Sequence, residues 1–402
     1  MALQTASRRR LPAGTIPAEP FRILFPLGML IGVSGVSLWP LYFSGLHKFY
    51  PGIMHARLMI EGFMGAFIFG FLGTAMPRLT GTKPLSRIEL TSMIVLLLVA
   101  TGLHIGHQHG SGDAVFLLLL LFFAAQMGRR FLQRTDQLPP TFVLVALGFA
   151  NAIAGAALLV GGAMGVQDLR WPALGLLLLY QGFILYLVLG VGGFLLPRFL
   201  GLPARSEMPD GAEASTAWKR RALFAAATGF VLLASFVLEV FAAIPKGAGT
   251  LRFLAAAVFL AAEIPFHRSS GGGVTIIRSL RLGLILLLLG LLFPVLWPMQ
   301  RVAGLHLVFI GGFTLITLTV ATRVVLGHSG LAHLTTAPLP FLRMAAVLLF
   351  IAAFLRVAGD FQWALRGRLL DFASYSWMLA AGIWSWRVLP KVRLPDLEET
   401  AA

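Results

Sequence analysis

The chain of 402 residues contains no cysteine. This absence excludes disulfide bonds, iron–sulfur clusters, a thiolate-ligated haem and covalent c-type haem attachment. Any bound metal would need histidine, methionine, carboxylate or backbone ligands. Charged residues are also scarce, at 12% against roughly 25% in a soluble protein, whereas hydrophobic residues reach 58%. The composition therefore predicts a protein that lies in a lipid bilayer.

Apolar runs of about 20 residues, the length that crosses a bilayer as a helix, recur along the whole chain. They do not alternate between apolar and polar residues, so closed helices are the expected spanning structure. The sequence predicts an all-α polytopic membrane protein, built as a single integral membrane domain of about twelve transmembrane helices. The predicted spans are 23–44, 54–76, 88–106, 114–131, 141–163, 172–196, 221–243, 250–266, 276–297, 302–326, 340–358 and 369–389.

Lysine and arginine are distributed unevenly between the segments that join these spans. Segments predicted to lie on the side of the N-terminus hold 23 of the 32 basic residues. Basic residues concentrate on the cytoplasmic side, so both termini are predicted to be cytoplasmic in a bacterial inner-membrane protein. The N-terminal tail 1–22, a linker at 198–220 and the C-terminal tail 390–402 would then be cytoplasmic. The net charge of +16 favours contact with anionic lipids, and no nucleic-acid partner is expected.

A repeat with a spacing of 120 residues links the second and sixth predicted spans. Residues 70–81 read GFLGTAMPRLTG and residues 190–201 read GVGGFLLPRFLG, with Gly, Gly, Pro, Arg and Gly in register. Residues 321–327, ATRVVLG, are a weaker version of the same element. This pattern predicts three pseudo-repeated four-helix units in one orientation. Ordinary helix-end chemistry is the alternative explanation, because it also favours Pro, Arg and Gly.

Two histidines lie near the same end of different predicted spans. His55 opens the second span and His306 lies near the start of the tenth, at depths that agree within about one helical turn. Histidine in a membrane is costly unless something binds it, and two imidazoles can hold one haem iron from both faces. Arg57 and Arg301 lie at the same edge and are candidate partners for haem propionates. Interfacial hydrogen bonding and snorkelling are the alternatives.

Further histidines and acids are candidates for chemistry. His104, His107 and His109 lie within six residues at the predicted outer end of the third span, where they could ligate copper or a second haem. A polar outer loop is the alternative. His328 is a weaker metal candidate at the opposite end. Acids within the spans are candidate proton-relay groups or neutral hydrogen-bonding groups, and these are Glu61, Glu239 and Glu263.

Two elements resemble those of the NnrS family. Residues 54–63, MHARLMIEGF, together with residues 70–81 look like the signature span of that family. His306 and residues 321–330, ATRVVLGHSG, are similar to a second element. The resemblance implies a bacterial twelve-span membrane protein that holds haem and copper and belongs to the nitric oxide response.

The chain departs from related patterns at two places. NnrS proteins usually show His-x-His-Glu at the start of the second span, but here Arg57 and Leu58 follow His55. A more distant resemblance is to the catalytic subunit of haem–copper oxidases and respiratory nitric oxide reductases, whose low-spin haem is held by histidines on spans two and ten. His55 and His306 match those ligands. Gly304 stands at the position of the ligand to the oxygen-reactive haem, so a standard haem–copper centre is not expected.

Together these features predict a haem-containing membrane oxidoreductase linked to nitric oxide metabolism or detoxification. Quinol would reduce a bis-His haem b, nitric oxide would be the small-molecule ligand, and a second haem or copper would be a further cofactor. Two alternatives stay open. One is a non-catalytic haem and copper protein that binds or senses nitric oxide, and the other is a membrane transporter without a cofactor.

Overall fold

The computed structural model describes residues 19–202, 214–268 and 274–395. Most of the predicted tails and part of the 198–220 linker lie outside these residues. Within them the chain is almost entirely helical and contains no β-strand. The long helices of these ranges are α1 Pro20–Phe43, α2 Gly52–Leu79, α3 Arg87–Ile105, α4 His109–Leu132, α5 Phe142–Ala163, α6 Arg170–Phe199, α7 Thr216–Phe241, α8 Pro245–Glu263, α9 Thr275–Leu296, α10 Pro298–Gly327, α11 Pro340–Phe361 and α12 Arg366–Val388.

Ten helices of the described ranges, all of those above except α8 and α12, are long and apolar enough to cross a membrane. The two exceptions are also long, with 19 and 23 residues, but neither contains a stretch of 18 residues that is as apolar. Large apolar side chains face outwards, and Leu30, Leu223 and Phe354 are 66%, 70% and 63% exposed. Such surfaces suit lipid and not water. The molecule is therefore a polytopic membrane protein.

Glycines bring three pairs of consecutive helices close together. A Cβ atom added to Gly28 of α1 would lie 2.8 Å from the Cβ of Ala66 in α2. One added to Gly155 of α5 would lie 2.8 Å from a backbone oxygen of α6, and one added to Gly290 of α9 would lie 2.7 Å from a backbone nitrogen of α10. Small residues allow backbones to approach closely in a membrane. Each of α2, α6 and α10 is therefore fixed against the helix before it.

The helices α2, α6 and α10 share two further local features. Each contains a π-helical stretch, and these are Leu58–Met64, Leu177–Gly182 and Leu307–Thr314. Each is followed by a glycine in the left-handed region, and these are Gly81, Gly201 and Gly330, with φ of 65°, 68° and 68°. The π-helical geometry often occurs at functional sites. In α2 and α10 it begins within three residues of His55 and His306.

The first and last long helices pack against each other and close the bundle. Arg22, buried at the start of α1, donates from Nη1 to the carbonyl oxygens of Val392 and Leu394 at 2.7 and 2.8 Å. Its Nη2 donates to the carbonyl oxygen of His328 at 2.9 Å. A buried guanidinium needs partners for its donors. Arg22 therefore joins α1, the end of α10 and the segment after α12, at the end of the molecule away from His55.

Candidate haem and metal sites

A cavity of about 350 Å³ lies at one end of the bundle, between α1, α2, α10, α11 and α12. His55 of α2 and His306 of α10 both line it, so the structure brings the two predicted histidines to one space. Most of the remaining wall is apolar or aromatic and includes Trp39 and Trp377. Small-molecule and cofactor sites typically have about 300–1,000 Å³ and this kind of lining.

Both histidines are held by a backbone carbonyl. Nδ1 of His55 lies 2.9 Å from the oxygen of Gly35 in α1, and Nδ1 of His306 lies 2.7 Å from the oxygen of Val302 in α10. A carbonyl oxygen only accepts, so each Nδ1 carries a proton and donates it. Each Nε2 then keeps its electron pair, which is the tautomer of a metal-ligating imidazole. Trp39 packs edge-on against His55, with ring centroids 5.8 Å apart, and helps to orient it.

Arg356 of α11 and Arg366 of α12 supply positive charge to the cavity wall. Both lie near Asp360, at 2.8 and 3.4 Å, so the three side chains carry one net positive charge. A carboxylate such as a haem propionate would be attracted to this charge. The packing of α11 and α12 directs both arginines to the cavity, which the sequence pattern did not predict.

The two arginines singled out in the sequence lie elsewhere. Arg301 is exposed at the start of α10. Arg57 is buried behind the cavity wall, where its Nε and Nη2 donate to the two oxygens of Asp113 at 2.6 and 2.8 Å. Its Nη1 donates to the hydroxyl of Tyr180, which itself lines the cavity. Arg57 therefore connects to the cavity through Tyr180, and a propionate contact for Arg57 or Arg301 stays a prediction.

Tyr180 also belongs to a buried group of polar side chains behind the cavity wall. We call this group the acid–histidine cluster, and it is formed by Arg57, Glu61, His104, Asp113 and Tyr180. One potential ligand atom from each of Glu61, His104 and Asp113 lies within 4.8 Å of the other two. These three residues are 2%, 1% and 2% exposed. Nε2 of His104 is 3.1 Å from Oε2 of Glu61, and Nε of Arg57 is 3.3 Å from Oε1 of Glu61. Such a group fits metal binding.

The three histidines predicted as one group have different environments. His104, at the end of α3, is turned inwards to Glu61 of α2. His109 is half-buried, with its ring centroid 5.7 Å from that of His104. His107 is exposed in the α3–α4 turn, has a φ of 59°, and stacks on His47 with centroids 6.1 Å apart. The predicted histidine site therefore divides into a buried part and an exposed part.

Asp113 is the cluster member that sequence reasoning missed. It lies one turn after His109 on α4, which places both residues on one helical face. An ionisable side chain inside an apolar span is a functional candidate by default, because it is costly there without a partner. Its position directly before the fourth predicted span, 114–131, and close to the three histidines was the signal that could have identified it.

Glu239 and Glu263 lie in ion pairs away from the cavity. Glu239 of α7 is 2.5 Å from Arg252 of α8, whose Nη1 also donates to Gln181 of α6. Glu263 at the end of α8 pairs with Arg221 of α7. Both acids join neighbouring helices, and a proton-relay role for either stays a prediction.

His328 lies at the opposite end of the molecule from the cavity. Its Nδ1 is 3.0 Å from Oε1 of Glu19, which also accepts from Arg78 at 2.6 Å. Burial alone would raise the pKa of Glu19, but the hydrogen bond with His328 and the charges of His328, Arg22 and Arg78 outweigh it, so the pKa lies below its usual value. The contacts of His328 are those of an ionic junction between α1, α2 and α10.

Gly304 has no room for a side chain. A Cβ atom added there would lie 2.9 Å from Cδ of Pro294 and 3.0 Å from Cβ of Phe293. A histidine at this position would therefore require α9 and α10 to separate. The expectation that a standard haem–copper centre is missing stays a prediction.

The fold and these sites define a polytopic α-helical membrane protein with a histidine-lined cavity and a buried acid–histidine cluster. The sequence matches the NnrS protein family over residues 15–395, which is nearly the whole chain, and the chain belongs to that family. This membership links the protein to nitric oxide. No curated protein matches the sequence.

Proposed function

We propose that the protein is a haem-containing membrane oxidoreductase of nitric oxide metabolism, with one b-type haem between His55 and His306. The observation that carries this proposal is the shared cavity, into which two helices contribute one histidine each. Haem b with two imidazole ligands supplies one-electron transfer when it is bound. The alternative of a transporter without a cofactor has no comparable support from the cavity.

The side chains around the cavity suit a haem. The carbonyl oxygens of Gly35 and Val302 fix the imidazole tautomers and ring orientations, as outer-shell partners do in other metal sites. Arg356 and Arg366 would bind the propionates, with Asp360 holding both guanidinium groups in position. The apolar remainder of the wall keeps water from the macrocycle.

If His55 and His306 both bound the haem iron, the iron would have no free position for nitric oxide. Turnover of nitric oxide would then need a second site, or the release of one histidine. Because the cavity lies among membrane-spanning helices, a lipid-soluble quinol is the reductant that we propose. A non-catalytic protein that binds or senses nitric oxide is the second candidate, and Gly304 at the position of the standard catalytic ligand favours it. Nitric oxide consumption with reduced quinol separates the two.

The test of the haem proposal is a reduced-minus-oxidised spectrum of the purified protein, with haem quantified as the pyridine haemochrome. We expect one haem b per chain. His55→Ala or His306→Ala should abolish the low-spin bis-His signal without removing the protein from the membrane. His267→Ala is the matched control. His267 is exposed, and its one hydrogen bond within the described residues is with the neighbouring Arg268. Wild-type protein without haem, or two variants with normal spectra, would refute the proposal.

We also propose that α8 and α12 cross the membrane, which gives twelve spans in three four-helix units with both termini in the cytoplasm of an inner-membrane protein. The uneven distribution of basic residues supports this topology. The π-helical stretches of α2, α6 and α10, and the glycine with positive φ that follows each of them, support the division into three four-helix units. Reporter fusions in residues 105–113 should report a location outside the cytoplasm, and a cytoplasmic result would overturn the topology.

A further inference from the structure

The acid–histidine cluster has one negative charge more than its arginine can balance. Both oxygens of Asp113 accept from Arg57, at 2.6 and 2.8 Å, so this carboxylate is well paired. Glu61 has the Nε of Arg57 at 3.3 Å, the Nε2 of His104 at 3.1 Å and the carboxyl group of Asp113 beside it. A carboxylate buried this deeply has to be neutralised by a proton or a cation.

Several buried atoms at the same place lack a hydrogen-bond partner. Oε1 of Glu61 is unpaired, because its contact with Arg57 is not aligned as a hydrogen bond. Nδ1 of His104 and Nδ1 of the adjacent His109 are unpaired as well. Each such atom costs about 1–3 kcal/mol when it is buried. An unpaired carboxylate oxygen on a buried acid that contacts a buried imidazole indicates a site for a ligand that carries positive charge.

We propose that Glu61, His104 and Asp113 bind one divalent transition-metal ion. Their ligand atoms lie within 4.8 Å of one another, and two ligands at about 2.0–2.2 Å from an ion lie at most roughly 4.4 Å apart. Small side-chain rotations therefore complete the site. An ion of charge two would leave one net positive charge, which a hydroxide as a further ligand would balance.

The donor atoms indicate the class of ion. One imidazole nitrogen and two carboxylate groups suit Zn²⁺, Mn²⁺ or Cu²⁺. Cu⁺ prefers sulfur ligands, and none of the five residues of the cluster contains sulfur. The site therefore selects the divalent state even if copper is the metal bound.

The metal site goes beyond the proposed haem and does not depend on it. None of Glu61, His104 and Asp113 lines the cavity of His55. Among the hydrogen bonds of the described residues, the one between Arg57 and the hydroxyl of Tyr180 joins the two sites. The bound metal ion and the haem iron can therefore be measured separately, because they are different elements.

The experiment measures metal content in the full-length protein. Purified protein is stripped with a chelator, titrated calorimetrically with Zn²⁺, Mn²⁺ and Cu²⁺ in turn, and analysed for these elements separately from iron. We expect one ion per chain in the wild type. His104→Gln and Glu61→Gln should each weaken binding by at least about tenfold. His107→Asn is the matched control, because His107 is exposed beside the site and asparagine tolerates its positive φ.

Two outcomes would overturn the proposal. Wild-type protein that binds none of the three ions overturns it and assigns the neutralising charge to a proton. Equal binding by His104→Gln and the wild type, with the control unchanged, also overturns it. If a variant does not fold, the stripped and reloaded wild type still decides whether the ion is bound. Metal binding without haem would contradict the proposed function and leave the metal site standing.

Discussion

Arg57 and Asp113 are paired inside the membrane-spanning region, and replacing one or the other should destabilise the protein for different reasons. In Asp113→Asn the guanidinium stays buried with only Glu61 and Tyr180 as partners. Arginine remains protonated at all relevant pH values, so its charge cannot be removed. Losing the charge-assisted hydrogen bonds to Asp113 costs about 1.5–3 kcal/mol, and we expect no further loss as the pH rises, because an ionised Glu61 still offsets the guanidinium charge.

Arg57→Met leaves two buried carboxylates, Glu61 and Asp113, without their cation. Unlike a guanidinium, a carboxylate can take up a proton and become neutral. The folded variant would then bind a proton that the unfolded chain does not hold near neutral pH. Its free energy of unfolding should therefore fall as the pH rises, by up to about 1.4 kcal/mol per pH unit.

The assay is unfolding of the metal-free protein in mixed micelles with increasing mole fractions of sodium dodecyl sulfate, followed by tryptophan fluorescence at pH 5, 6.5 and 8. Arg170→Met is the control, because the pair of Arg170 with Asp168 is exposed to solvent and its loss should leave the unfolding transition unchanged. Equal losses and equal pH dependence for Asp113→Asn and Arg57→Met would refute the reasoning, as would a loss below about 1 kcal/mol for Asp113→Asn.

Two further predictions use the same unfolding assay. Glu19→Gln should lower the free energy of unfolding by about 1.5–3 kcal/mol at pH 7, because it removes charge-assisted hydrogen bonds to arginine and His328. The pKa of Glu19 is lowered in the folded protein, so this contribution is present above its ordinary pKa of 4.5 and is lost as the pH falls through the folded value. If the variant and the wild type still differed by the full amount in free energy of unfolding at pH 3, the prediction would be contradicted. Gly81→Ala should destabilise the protein more than Gly201→Ala. Both glycines have a positive φ, which costs an alanine about 1–2 kcal/mol, but only at Gly81 would the added methyl group also lie 2.1 Å from Oγ1 of Thr135. Equal losses would show that Thr135 moves freely.

The helices could be predicted closely because the bilayer imposes one length on every span. The second and tenth predicted spans, 54–76 and 302–326, lie within the helices Gly52–Leu79 and Pro298–Gly327. Depth follows from counting residues, so the placement of His55 and His306 at one end could also be derived. The family resemblance rested on these same spans and is confirmed over nearly the whole chain.

The partners within the sites could not be predicted, because they depend on the rotation of each helix about its axis. The π-helical stretch Leu58–Met64 begins between His55 and Glu61, so the angle between these two residues differs from that of an ideal α-helix. Counting at 3.6 residues per turn therefore does not show that Glu61 turns towards His104 and Asp113. The cavity arginines of α11 and α12 were missed for the same reason, since their direction is fixed by tertiary packing.

The hydrogen bonds of Arg22 also constrain how the protein is made. Val392, one of its acceptors, follows Arg22 by 370 residues. At about 5–20 residues per second, the ribosome needs roughly 20–70 s to reach it after α1 has been synthesised. During that interval the guanidinium of Arg22 must rest among lipid headgroups and water. The first helix can therefore be fixed to the C-terminal segment only when synthesis is nearly complete. A chain stalled before residue 392 would expose a first helix without these hydrogen bonds to the proteases of membrane quality control.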